Sequence, residues 1–410
     1  MNDPASGAPN VMFLVEVVNC NDGIASYCET LATGLHARGV QIQLVSGIVR
    51  SDEKSEYKRQ KLAAAVKQWH VVPGLRKLPS LSIFMQLWKL IRENDITVIN
   101  VHGLGMLMWG RLLSLLTGAR CVATYHPSVL GNIEKVQNAP QSTFSPVQIL
   151  FFNLFFPHSL ILMSEESLRH LRRYVLFGKN RIAKVYGGVD TAHFRPPSDA
   201  ERRDARAKFG VAEGEFMCLL AARLAWVKGH DLLIKAARRI RDGASPAPID
   251  IKCYFVGSGG AEREKEIKSF AFADEKDKDT FKFLGFMGDV REILWAADVF
   301  ALPSRFEGFP LGVAEAMATG LVPVRTPAGG ATDQIIDGQT GFIVPFEDVD
   351  ALVGALEKLA DPAVRAALSR NALARAQQYF GVGPMVDQTL RIYGLTGDAS
   401  GNPLAHPMQA

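Results

Sequence analysis

The feature that most constrains this fold is a plan met twice: an apolar run, a glycine-bearing turn, an amphipathic helical stretch and a second apolar run. In the first half Val11-Met-Phe-Leu-Val15 leads through Asn19-Cys-Asn-Asp-Gly23 to Ile24, Tyr27, Cys28, Leu31 and Leu35 at helical spacing, then to the strand Gln41-Ile-Gln-Leu-Val-Ser46. In the second, Phe216-Met-Cys-Leu-Leu-Ala-Ala222 leads through Arg223-Leu-Ala-Trp-Val-Lys-Gly229 to Leu232, Leu233, Ala236, Ala237 and Ile240 on one face, then to Ile249-Asp-Ile-Lys-Cys-Tyr-Phe-Val256. Strands alternating with helices predict parallel neighbours joined by right-handed crossovers, since a two-residue hairpin cannot join parallel strands. At 410 residues the chain exceeds what one core fills, so two such sheets are expected. Further strands are predicted over 97–101, 120–125, 159–163, 281–284, 298–302 and 321–325. The expected division is a first domain over 1–190, a second over 191–383, a helix over 384–395 packing back on the first, and a loose tail over 396–410. The linker is expected at 187–198, where glycines and Pro196-Pro197 break the periodicity.

Cysteines at 20, 28, 121, 218 and 253 form no C-x-x-C pair, which points to reduced thiols in a cytosolic setting. Glu16 interrupts the apolar run 11–18 and no basic segment precedes it, so the run reads as a first strand instead of a signal peptide. The most apolar and aromatic stretch, Pro146-Val-Gln-Ile-Leu-Phe-Phe-Asn-Leu-Phe-Phe-Pro157, is broken by Gln148, Asn153 and Pro157 before it reaches the roughly 20 residues of a membrane span. It is expected to be a buried helix leading into the strand at 159, with an interfacial membrane contact as the alternative. Charge is uneven: residues 1–190 hold 20 Lys and Arg against 13 Asp and Glu, while the rest hold 26 against 29, within a net +4. A basic first half suits an anionic partner such as a phospholipid surface or a phosphorylated acceptor, although Lys54, Lys58, Arg59, Lys61 and Lys67 also suit a solvated helix face. No recognition motif for nucleic acid accompanies these residues.

Candidate chemistry gathers where strands end. Asp298-Val-Phe-Ala-Leu302 halts at Pro303, and Pro310 is expected at the first position of a helix that Gly320 ends. The amides of Phe309, Leu311 and Gly312 could then meet an anion, with Glu315 about 6 Å further along the axis. Glu307 and Glu315 could equally be a chance pair, or an acid and base flanking a glycosidic bond. Arg223 and Lys228 flank the turn after a strand, a suitable place to neutralise a leaving diphosphate. Gly23 could let backbone amides approach the same phosphates, and Gly257-Ser-Gly-Gly260 is a second glycine turn without a P-loop lysine. His126, and with less support His102, follow strand ends and could hydrogen-bond a sugar. Neither Asp277-Lys-Asp279 nor Asp348-Val-Asp350 lies at a strand end, and no metal-ligand pattern is present.

Taken together, Asp22-Gly-Ile24, Thr124-Tyr-His126, Gly187-Gly-Val-Asp190 with Phe194 and Pro196, Arg223 with Lys228-Gly229, Phe255-Val-Gly-Ser-Gly259, Phe283-Leu-Gly285 and the block 297–320 resemble glycosyltransferase family 4. The resemblance spans most of the chain. It implies an α/β fold of the GT-B type, two Rossmann-like doubly wound parallel-sheet domains facing across a cleft. It also implies a retaining enzyme that uses a UDP- or GDP-sugar donor, with no cofactor and no metal. By the same resemblance Arg223 and Lys228 bind the donor diphosphate, Glu315 the ribose and Glu307 the sugar hydroxyls. Gly23 contacts the diphosphate, His126 lies beside the donor sugar, and backbone at Phe286 and Met287 meets the base. Phe309 and Leu311 complete the expected donor set. Asp22 stands where many relatives have glycine, and Gly187 where many have asparagine. The expected acceptor is a glycan or lipid-linked hydroxyl, and the expected location is cytoplasmic, with peripheral contact at the inner membrane face through the N-terminal domain. Rival readings are a sugar-nucleotide epimerase or phosphorylase, for which no signature is present, and a catalytically silent sugar-nucleotide-binding subunit.

Overall fold

The computed structural model describes residues 9–20, 23–50, 56–75, 80–126, 144–244 and 248–395, so Asp22, Lys54 and the expected tail lie outside it. The described chain divides into two compact units. One takes residues up to His126, then Phe144–Gly188 and Val382 onward; the other takes Val189–Gly381.

The first unit is built on β1 (Asn10–Asn19), β2 (Gln41–Arg50), β3 (Gln68–Val71), β4 (Ile96–His102), β5 (Arg120–Thr124), β6 (Ser159–Leu162) and β7 (Ile182–Lys184). They form a parallel sheet in the order β3-β2-β1-β4-β5-β6-β7. The second unit uses β8 (Phe216–Ala221), β9 (Ile251–Val256), β10 (Phe281–Gly285), β11 (Val299–Leu302), β12 (Val322–Arg325) and β13 (Phe342–Ile343) in the parallel order β10-β9-β8-β11-β12-β13. Each is a doubly wound sheet, and the expected pair of Rossmann-like α/β units is observed. The strand order reverses between β1 and β4 in one sheet and between β8 and β11 in the other. At such reversals the loops beyond the carboxyl ends diverge and leave a crevice for ligands.

The central strands read as continuous apolar runs because helices cover both faces of the sheet. Val11, Met12, Phe13 and Leu14 have no exposure. The helix Gly23–His36 buries Tyr27, Cys28, Leu31 and Leu35, and the helix His230–Arg239 buries Leu232, Leu233, Ala236 and Ala237. The helix Val382–Tyr393 packs on the first of these. A Cβ at Gly34 would lie 2.5 Å from Val386 and 2.6 Å from Val382, so only glycine permits this approach. Asn100 Nδ2 in β4 donates to the Tyr393 hydroxyl at 2.7 Å, inside the same unit.

Three expectations are corrected. Pro310 is the N-cap, with extended backbone at ψ 112°, and the helix begins at Leu311. The strands β3, β7 and β13 were not expected; at two to four residues they are too short to show a periodicity. The apolar stretch at 146 forms a helix, Pro146–Leu154, closed at its start by a reciprocal Ser145–Gln148 capping box, yet of its residues only Phe152 is buried. Val147, Leu150, Phe151 and Leu154 are exposed, because the unit covers one side of a helix whose apolar residues run round more than one side. Among the described residues no helix is long and apolar enough to cross a membrane, and no group of three potential metal ligands occurs.

Candidate active site

In the second unit the candidate residues follow the carboxyl ends of strands, on the connecting loop or in the first turns of the helix after it. Arg223, two residues past β8, is exposed and has no ion pair among the described residues. The chain then makes one short helical turn, Trp226–Lys228, and Gly229 starts the next helix with φ +74°. A Cβ at Gly229 would meet the Pro303 carbonyl oxygen at 2.0 Å, so the turn carrying Lys228 is pressed against the loop after β11. That loop holds Glu307, which is 8% exposed. Lys228 Nζ donates to Glu307 Oε1 at 2.7 Å, and Ser304 Oγ donates to the same oxygen at 2.8 Å.

Arg305 builds this juxtaposition. Its amide donates to the Val227 carbonyl at 2.8 Å, its guanidinium forks onto Asp231 at 2.8 Å for both nitrogens, and a third bond reaches Glu347 at 2.9 Å. The hydrogen bonds it donates to Asp231 raise its pKa further, so it stays a cation committed to holding the two loops together. Buried Thr326 adds a hydroxyl bond to the Ser304 carbonyl from the next strand's end. Neither Ser304 nor Arg305 was singled out in the sequence, although both stand within the block 297–320.

Leu311 opens the helix Leu311–Ala318, and Glu315 sits one turn in, partly exposed, with Oε2 3.9 Å from where a Cβ at Gly312 would lie. Phe309 is a packing residue as far as its ring is concerned: it is 7% exposed, with its ring 5.7 Å from that of Phe380. Met287 lies partly exposed in the loop after β10. The glycine turn 257–260 serves the chain itself, since the Leu224 amide donates to the Ser258 carbonyl at 3.0 Å, directly beside Arg223.

In the first unit Gly23 is the first residue of its helix, and none of the described residues comes within 4 Å of where a Cβ on it would lie. His102 ends β4 and His126 follows β5 by two residues. The sequence ranked His102 the weaker candidate, but the structure joins the two: His102 Nδ1 lies 3.2 Å from His126 Nε2, with the rings 5.5 Å apart and nearly parallel. The edge of the Tyr27 ring closes on both, at 5.1 Å from His126 and 6.0 Å from His102. Among the described residues buried His102 Nε2 has no hydrogen-bond partner, so the tautomer that leaves a lone pair there, and donates from Nδ1 to His126, is the less costly one. Burial pushes His126 down to about 4 and, with the neighbouring ring, holds His102 well below its ordinary value. Both imidazoles are neutral at neutral pH, and His126 can act there as a hydrogen-bonding group, not as an acid.

Known proteins share this architecture. A Rickettsia africae glycosyltransferase superimposes with a TM-score of 0.78 at 17% identity, over 94% of this chain and 98% of that one. Anabaena HepE in complex with UDP gives 0.75 at 21%, over 93% and 98%. In sequence, the UDP-Gal:alpha-D-GlcNAc-diphosphoundecaprenol alpha-1,3-galactosyltransferase of Escherichia coli is 24% identical over 320 residues, 77% of this chain and 80% of that protein. The D-inositol 3-phosphate glycosyltransferase of Acidothermus cellulolyticus is 28% identical over 385 residues, 89% and 84%. Residues 21–193 match the model described as Glycosyltransferase Family 4, and residues 201–375 match that of Glycosyl transferases group 1. With one half matched by each model on two doubly wound sheets, the chain belongs to glycosyltransferase family 4 and is a glycosyltransferase of the GT-B fold.

Proposed function

We propose that this enzyme transfers a sugar, with retention of anomeric configuration, from a UDP- or GDP-sugar to a hydroxyl of a glycan or lipid-linked acceptor, without a metal or other cofactor. The reading rests on one observation: the loops after β8 and β11 bring a cation and a carboxylate together at the strand reversal, with a helix start and a second carboxylate following. HepE was solved with UDP, and the Escherichia coli relative is named for a UDP-sugar donor and a lipid diphosphate acceptor, which supports the same substrate classes here. Five buried cysteines, none in a disulfide, suit the cytoplasmic side.

In this mechanism Arg223 and Lys228 compensate the charge that builds on the diphosphate as the bond to the anomeric carbon breaks. Leu311 and Phe309 offer backbone amides to the phosphates, Glu315 accepts from the ribose hydroxyls, and backbone at Met287 meets the base. The acceptor oxygen attacks on the face the diphosphate leaves, the departing oxygen takes the bonding electrons, and the acceptor proton passes to a donor phosphate oxygen. Glu307 accepts from a sugar hydroxyl with its other oxygen while Lys228 and Ser304 hold Oε1. Gly23 leaves room for the diphosphate, and neutral His126 hydrogen-bonds the sugar.

A thermal-shift panel of nucleotide sugars tests the donor, since a ligand at a hundredfold excess over its dissociation constant stabilises the native state by about 2.7 kcal/mol. Transfer in the presence of chelator, with the product anomer read by NMR, tests the rest. An inverted product refutes retention, loss of transfer with chelator refutes metal independence, and donor binding without turnover supports the silent subunit instead.

A further inference from the structure

The helix Pro146–Leu154 presents an apolar face that the described residues of its unit do not cover. Val147, Leu150, Phe151 and Leu154 follow one another at helical spacing and are 74%, 67%, 41% and 70% exposed. Asn153 ties this helix to the segment after the helix Glu165–Arg172: its amide donates to the Tyr174 carbonyl, and its oxygen accepts from the Leu176 amide, both at 2.8 Å. That tie holds the backbone of Leu176 against the helix, and Leu176 and the adjoining Phe177 are themselves 61% and 81% exposed. Six large apolar side chains exposed on this helix and on the segment tied to it are more than the scattered single exposures of an ordinary surface.

The neighbouring surface is basic. Arg169, Arg172, Arg173, Lys179 and Arg181 are exposed, and the stretch 167–181 contains no Asp or Glu. Glu165, at the start of the preceding helix, is engaged with Lys184. An apolar face with cations beside it matches a bilayer surface, whose acyl boundary takes the leucines and phenylalanines while anionic headgroups take the arginines. A second copy of the chain suits it poorly, because a two-fold contact through the same patch would set one basic cluster near its equal.

We propose that the helix 146–154 and the segment 176–177 form a peripheral membrane-docking face for anionic phospholipid. It stands apart from the donor reading, because its readout is lipid binding and not transfer. The test is sedimentation of the full chain with phosphatidylcholine vesicles, with and without phosphatidylglycerol. The expected result is binding to the anionic vesicles only, lost at about 0.5 M salt, where charges are screened within about 4 Å. Leu150→Glu with Leu154→Glu, at exposed positions, should leave the melting temperature unchanged and weaken binding about tenfold or more. Arg172→Glu with Arg173→Glu should lower the preference for anionic lipid. Failure of the wild type to sediment with anionic vesicles, or undiminished binding by the leucine variants, overturns the proposal. A concentration-dependent dimer that Leu150→Glu dissolves would overturn it too, assigning the face to a second copy.

Discussion

Replacing Lys228 by methionine and Glu307 by glutamine should have unequal costs, and the structure says which is larger. The two side chains meet at 2.7 Å, with 20% of the lysine and 7% of the glutamate exposed. At an effective dielectric of about 20 their attraction is about 6 kcal/mol, most of it offset by removing two charges from water. Lys228→Met keeps the aliphatic stem but leaves a buried carboxylate with the Ser304 hydroxyl as its remaining partner among the described residues. Breaking a buried pair this way costs about 3–5 kcal/mol, and the lysine's partial exposure, which admits water, places this case near 3. Glu307→Gln keeps an oxygen for Ser304 and leaves a cation that can turn toward solvent, for about 1 kcal/mol or less. In a cooperative unit of this size each kcal/mol moves the melting temperature by about 2–4 °C. Scanning calorimetry should therefore show Lys228→Met falling by about 6–12 °C and Glu307→Gln by no more than about 4 °C. The double variant should be less destabilised than the sum of the singles, by about 1–2 kcal/mol. Equal losses from the two singles, or strict additivity in the double, would refute the claim that the pair is buried and coupled in the free enzyme.

Acid should destabilise both units. His126 and His230 are each pushed by burial from 6.5 to about 4. The unfolded chain then holds more protons than the native one between those values, so stability is complete above about pH 6.5 and falls as pH drops toward 4, by up to roughly 3 kcal/mol for fully buried His230 and by less for His126, which keeps partial exposure. Urea midpoints followed by tryptophan fluorescence should be lower at pH 5 than at pH 7.5, less so in His126→Phe; a flat profile would contradict the burial of these rings. Gly229→Ala should cost about 3 kcal/mol or more, because it combines a left-handed backbone with a 2.0 Å clash on Pro303, and should abolish any donor-induced thermal shift. Gly23→Ala meets no neighbour, so its melting temperature should match wild type while nucleotide-sugar affinity drops, as read by calorimetric titration; unchanged affinity would remove Gly23 from the donor site.

Much of this fold was legible in the sequence because its central strands are long apolar runs that alternate with one-sided helices. Val11–Val15 and Phe216–Ala222 could be read for that reason, whereas Phe342–Ile343 is too short to have a periodicity. The candidate residues were legible as positions after strands. Their pairing was not: Lys228 and Glu307 are 79 residues apart, and they become neighbours through the pairing of β8 with β11, the packing of Gly229 on Pro303 and the reach of Arg305 back to Val227 and Asp231. The same limit applies at residue 146. Apolar composition specifies a helix that avoids water, but what covers it depends on elements elsewhere in the chain, and here Phe152 alone of the helix finds a place in the core.

The return of the helix Val382–Tyr393 to the first unit sets an order of maturation. Residues 189–381 are contiguous and can close as soon as they leave the ribosome, while the unit that holds the described residues of 9–188 waits for the helix Val382–Tyr393, without which Asn100 loses Tyr393 and the Gly34 face stays open. A fragment ending at Gly188 should therefore be less protected from proteolysis than the same fragment supplied with 382–395 as a peptide. The unit that holds the described residues of 9–188 is therefore completed only after residues 189–381 have been made, and a chain truncated before residue 382 loses stability in that unit.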